Sequence, residues 1–233
     1  MEIEFGNYEH EGATLIPFEE ISSLILPITQ MRELNDAESR NINQAREQWI
    51  KLRRLPNYAE LLTLNYAKDL HRSSYGQVWS WAGMLRGRMT NIGVAPHLIQ
   101  SQLSQLLDNS KYKLDALLKP GQSAFAKEII NNIDNSPVDW RGKAHLKRDL
   151  KGELELILIE FAYKLVWIHP FTNGNGRWSR VYTDQLADVL NISRFSWGKS
   201  ILNIPERRNE MINSLRIADY TGDLSAYLSW AKK

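Results

Sequence analysis

Residues 167–180 read Trp-Ile-His-Pro-Phe-Thr-Asn-Gly-Asn-Gly-Arg-Trp-Ser-Arg, and the rest of the chain is best understood outward from them. The spacing predicts a helix that ends near His169, a tight loop, and a new helix from about Gly176. Pro170 cannot extend the first helix, and its ring restricts the backbone of His169. Gly174 and Gly176 permit positive φ and leave backbone N–H groups uncovered. A loop of this kind at a helix N-terminus is an anion nest, where exposed N–H groups and the helix dipole favour phosphate. Arg177 and Arg180 lie three apart, on one face of the new helix's first turn. Cations are unfavourable there for the helix itself. A polyphosphate seated between the arginines and the loop resolves that conflict.

Around this loop, helical spacing dominates. The helix before it runs from about Asp149 to Ile168, and the one after it to about Val189 or Leu190. Upstream, residues 32–54 read as a long polar helix with Leu34, Ile42, Ala45, Trp49 and Leu52 as its inner stripe. Residues 57–73 and 97–118 also carry helical spacing, and 124–133 a weaker version. Residues 205–218 and 222–231 read as closing helices. Leu85–Val94 differs, with glycines, β-branched residues and no helical pattern; it reads as a short β-hairpin or extended flap. The expected fold is mostly α: a helical bundle with a small β-hairpin flap. Residues 1–54 form an N-terminal extension with a long helix, and 55–233 form the core.

Composition narrows the function. Hydrophobic residues make up 43% of the 233 and charged residues 24%, enough for one sizeable core. The formal net charge is +2, too small to point to direct nucleic-acid binding. There are no cysteines, which excludes disulfides, thiol catalysis and thiolate metal sites. The five histidines include no HxxxH pair, against a zinc site. No stretch is apolar enough to span a membrane and the N-terminus is not a signal peptide, so a cytoplasmic location is expected. His71 and the tryptophans Trp79, Trp81, Trp167, Trp178 and Trp197 read as structural anchors.

HPFTNGNGRWSR is very similar to the signature of the Fic family, His-Pro-Phe-x-acidic-Gly-Asn-Gly-Arg-x-x-Arg, matching eight of nine defined positions. LHRSSYGQVWSWAGMLRGRMTNIGV at 70–94 resembles the helix, Trp-Ala-Gly turn and flap that precede a Fic core. EGATLIPFEEISSLILPITQMRELN resembles the start of the subgroup called mobile mystery protein B. The resemblance implies a Fic-type bundle and a protein adenylyltransferase, which moves AMP from ATP onto a Tyr, Thr or Ser hydroxyl of a target protein. By position it implies His169 as general base, and Gly174, Asn175 and Gly176 as the phosphate cradle. Asn175 adds a side-chain bond to the α-phosphate, and Arg177 and Arg180 hold the outer phosphates. Phe171 anchors the loop in the core. Arg88, Met89, Thr90, Asn91 and Ile92 form the flap that holds the target segment. ATP is the co-substrate, with Mg²⁺ or Mn²⁺.

Asn173 departs from the signature, because most active members carry an acid there as a metal ligand. A neutral amide implies weak metal binding at Asn173. The phosphate-transferring branch of the family has Lys in place of the second glycine, so Gly176 points to AMP. A second reading is a catalytically weak nucleotide-binding protein that acts by docking a partner, and a third is transfer of another nucleotide or phospho-group. Many members are held inactive by a helix with the pattern Ser/Thr-x-x-x-Glu-Gly/Asn. Thr29–Leu34 meets all but the last position, which makes Glu33 an inhibitory candidate facing Arg180. The alternative is that Glu33 is a first-turn acid favoured by its helix dipole. The subgroup resemblance also implies a small helix-turn-helix antitoxin-like partner.

Overall fold

A computed structural model describes residues 21–52, 54–118, 150–201 and 204–233. Among these residues the chain forms eight helices: α1 (Met31–Ile50), α2 (Tyr58–Leu61), α3 (Leu64–Tyr75), α4 (Pro96–Leu118), α5 (Leu150–Ile168), α6 (Asn175–Val189), α7 (Ile204–Thr221) and α8 (Ser225–Lys232). The expected helix at 124–133 lies outside the described residues.

The apolar stripes place the helices. α5 and α6 form the centre, with Leu158, Ile159, Phe161, Ala162 and Leu165 of α5 and Trp178, Val181, Tyr182 and Leu186 of α6 buried. α4 covers α5 through Ile99, Leu103, Leu107 and Leu114. α1 packs mainly on α3, and α3 on α6, while α1 also touches α6 directly where the Trp49 indole donates to Asp188 (2.6 Å). Asn41 fixes the packing on α3: its amide donates to the Ser73 carbonyl (2.9 Å), and its side-chain oxygen accepts from the Gln77 N–H (2.9 Å).

Three expectations need correction. The helix predicted over 57–73 is two helices, because Thr63 caps the second: its hydroxyl accepts from the Tyr66 N–H (3.2 Å). α1 ends at Ile50, so Leu52 is exposed and leaves the inner stripe. Trp167 is also exposed, unlike the other four anchoring tryptophans.

The segment 85–94 forms no β-ladder; the β-pairing among the described residues is one isolated antiparallel bridge, Leu24 with Trp79. The reason is Arg86, which is buried. Its guanidinium donates to the carbonyls of Arg88 (2.7 Å) and Val94 (2.5 Å), groups a hairpin would spend on its own ladder. The flap folds over a side chain instead of pairing with itself.

Candidate active site

The loop between α5 and α6 is built from the inside outward. Phe171 is fully buried and stacks on the His71 ring, with centroids 3.7 Å apart, and meets Trp178 edge-on at 4.8 Å. His71 ties the loop to the Trp-Ala-Gly turn. Its Nδ1 accepts from the Gly83 N–H (3.0 Å), so its Nε2 carries the proton and donates to the Asn173 carbonyl (3.1 Å). Both ring nitrogens are used in the neutral form. Burial pushes the His71 pKa down to about 3.

Asn175 is a brace. Its Oδ1 accepts from the Phe171 N–H (2.9 Å) and its Nδ2 donates to the Phe171 carbonyl (2.8 Å). It is almost fully buried, and both ends of its amide are engaged within the loop. Of the two motif glycines only Gly174 adopts positive φ (+79°), where it N-caps α6 without any side-chain cap. Gly176 lies inside the helix and leaves a bare surface next to Arg180, whose Nη1 would sit 3.8 Å from an added Cβ. The first-turn N–H groups of α6 have no intrahelical partner and stand at the positive end of the dipole.

His169 has φ +53°, a left-handed conformation that non-glycine residues rarely adopt. It is 4% exposed. Its Nδ1 lies 3.3 Å from the Val166 carbonyl, which can only accept. Nδ1 thus carries the proton, and Nε2 is the basic nitrogen. Burial first, then the nearby Arg86 charge, hold its pKa down at about 4, against a raising contribution from that carbonyl. The imidazole is neutral at pH 7.

The arginines differ. Arg177 pairs through Nη2 with Glu38 of α1, a carboxylate that is 1% exposed. Arg180 has no ion-pair partner among the described residues; its Nη1 lies 3.6 Å from the Met211 sulfur. Glu38 also accepts from the Trp79 indole N–H (2.7 Å) and the Asn173 amide (3.0 Å). The carboxylate in the site therefore comes from α1, and Asn173 is its donor. Glu33 is elsewhere. It closes a capping box at the start of α1, its Oε2 accepting from the Thr29 and Gln30 N–H groups at 3.3 Å each. The expected pairing of Glu33 with Arg180 is absent, and the pairing that exists is Glu38 with Arg177.

The donor set does not fit a resident divalent cation. Asn173 turns its NH₂ to Glu38, and both Glu38 oxygens already accept hydrogen bonds, one of them from a cation. No three His, Asp or Glu side chains gather into a metal cluster among the described residues. The Asn173 NH₂ is committed to Glu38, and its Oδ1, the atom a metal would use, is a single neutral donor.

Glu38 escaped the sequence reading, although a signal was present. Leu34, Glu38, Ile42, Ala45 and Trp49 fall on one helical face, so the acid stands inside an apolar stripe. A charge at such a position needs a buried partner.

Two buried neutral histidines set a pH dependence. Unfolded, each binds a proton below about 6.5; folded, His169 does so only near 4 and His71 near 3. Their contribution is complete above 6.5 and falls as pH drops from there toward 4. Asp184 works against this, because burial raises its pKa to about 6 and folded protein takes up its proton first. The net expected loss between pH 7 and pH 5 is roughly 2–3 kcal/mol, at about 1.4 kcal/mol per pH unit per group. Urea titrations at the two pH values measure it, and equal midpoints would contradict the buried neutral state.

Fold and loop together define a helical-bundle protein with a helix that starts without a side-chain cap, beside a buried neutral histidine. The chain belongs to the Fic/DOC family, whose profile matches residues 61–187. No curated protein matches it. Solved structures share its fold at low identity. The N-terminal Fic domain of a VirB-translocated Bep effector protein from Bartonella quintana aligns with TM-score 0.58 and 15% identity over 88% of this chain and 84% of that one. BepC from Bartonella tribocorum, with bound AMPPNP, aligns with TM-score 0.55 and 14% identity, covering 93% and 97%. Residues 134–508 of Fic-1 from C. elegans align with TM-score 0.50 and 20% identity, covering 91% and 51%. Among the described residues no helix is long and apolar enough to cross a membrane.

Proposed function

We propose that this protein transfers AMP from ATP to a hydroxyl of a target protein. The observation that carries this reading is Arg180, a guanidinium without a carboxylate partner among the described residues, set beside Gly176 at the uncapped start of α6. Phosphate is the chemistry that answers both the charge and the unsatisfied N–H groups. The ATP analogue in the related BepC structure agrees with a nucleotide there.

In the proposed reaction the target hydroxyl oxygen attacks the α-phosphorus and gives its proton to Nε2 of His169. The bond from the α-phosphorus to the bridging oxygen breaks, and pyrophosphate leaves with that electron pair. Arg180 and the first-turn N–H groups of α6 stabilise the departing charge. Arg177 joins them once Glu38 releases it. The exposed flap residues Met89, Asn91 and Ile92, with half-buried Arg88 and Thr90, offer the surface for the target segment.

The Glu38–Arg177 pair favours a second reading, a nucleotide-binding protein of low turnover that acts by docking. One experiment separates the two. His169→Ala should lower label transfer from α-labelled ATP about 10²–10⁴-fold. ATP binding by calorimetry should stay within threefold of the parent. Binding without transfer in the parent protein, across metals and lysate targets, would leave the docking reading.

A further inference from the structure

Arg86 is 3% exposed and has no carboxylate partner among the described residues. Carbonyls surround it instead. Nε donates to His169 (2.6 Å), Nη1 to Arg88 (2.7 Å), and Nη2 to Val94 (2.5 Å) and more distantly Ile168 (3.4 Å). Two of these carbonyls belong to the flap and two to the C-terminal end of α5, Ile168 and the His169 that follows it. The main chain repeats the tie: Arg86 N–H donates to Pro170 (3.0 Å) and Val94 N–H to Ile168 (3.3 Å). Gly93 completes it. At φ +103°, a Cβ there would sit 2.5 Å from the His169 Cβ and 2.7 Å from Arg86 Nη2. The flap thus lies directly on the histidine.

We infer that Arg86 is the positioning residue that joins the flap to His169, so that the target-holding segment and the strained histidine form one mechanical unit. A planar fork with five N–H donors can satisfy four carbonyls at once, whereas an ammonium is a compact point donor. A left-handed non-glycine residue is strained and persists only where its surroundings over-determine it. The Arg86 bond to the His169 carbonyl supplies that determination. A flap seated by this network holds its target chain at a fixed distance from the His169 ring, and a released flap frees both. The catalytic consequence rests on the proposed transfer; the linkage itself does not.

The test reads the linkage without nucleotide. Histidine side-chain NMR follows the titration of His169, and amide exchange compares Val94 with the core of α6, which reports global loosening. Arg86→Lys keeps the charge and loses the fork. Gly93→Ala keeps Arg86 and pushes the flap off the histidine. In both variants the His169 pKa should rise by at least one pH unit toward 6.5, and the Val94 amide should lose protection from exchange while the core of α6 keeps its own. ATP affinity should stay within threefold. His169 unchanged in both variants, or Val94 and the core of α6 losing protection together, would overturn the assignment. If linkage holds but the parent transfers no label, the fault lies with the proposed reaction and not with Arg86.

Discussion

Gly174→Ala is expected to lower stability by about 3–4 kcal/mol. Two independent costs add at this position. At φ +79° an alanine occupies the left-handed region, roughly 1–2 kcal/mol above its preferred conformations. Its Cβ would also lie 2.3 Å from Tyr75 Cζ and 2.6 Å from Tyr75 Oη, and overpacking of this kind costs about 1–3 kcal/mol. Tyr75 cannot move aside. It is fully buried, stacked on His71 at 4.7 Å, and its hydroxyl donates to the Gly174 carbonyl (3.1 Å). Gly176→Ala is the control, since the nearest atom to its added Cβ is the mobile end of Arg180 at 3.8 Å. There helix propensity favours alanine by about 0.5–1 kcal/mol. Urea unfolding of the two variants should therefore move in opposite directions. A loss below 1 kcal/mol for Gly174→Ala would mean that the Tyr75 contact is softer than its packing indicates.

The contrast between the two glycines shows what was legible in the sequence. The loop was legible because Pro170, the glycines and the two arginines act locally, through φ, ψ and charge. The helices were legible because burial follows a 3.6-residue period. What depended on contacts between distant segments was not. That Phe171, four residues back, takes both ends of the Asn175 amide is not written in the spacing. The flap looks like a strand pair until Arg86 is seen to collect its carbonyls. Glu33 fits a pattern in sequence, yet a capping box satisfies it locally, and the pattern cannot tell a capping acid from one that reaches the site. Glu38 needed α1 docked on α3 to be placed against Arg177, and no spacing within α1 states where α1 docks.

Glu38→Gln is expected to lower stability while tightening the binding of ATP. The carboxylate accepts from Trp79, Asn173 and Arg177 in a nearly water-free position. Glutamine keeps an acceptor for the indole but loses the ion pair, and removing one partner of a buried pair costs about 3 kcal/mol. The released Arg177 then joins Arg180 at the phosphate seat. A coupling of roughly 1–2 kcal/mol corresponds to about a five- to thirtyfold gain in affinity. Most damaging substitutions weaken folding and binding together, so opposite movement is the informative result. The same geometry revises what Asn173→Asp should do. From the signature alone, an aspartate there restores a metal ligand. In this fold it replaces the amide that donates to Glu38 at 3.0 Å with a second carboxylate, and a half-buried carboxylate against a buried one at that distance cannot leave both ionised without a large penalty. Asn173→Asp is therefore expected to dislodge Glu38 and reproduce the Glu38→Gln gain in ATP affinity without added divalent metal. The double variant should gain no more than Glu38→Gln alone, because both changes remove one contact. A gain that needs Mg²⁺ and adds fully to Glu38→Gln would return Asn173 to the role of metal ligand. Unchanged ATP affinity in Glu38→Gln would mean that the nucleotide does not use Arg177.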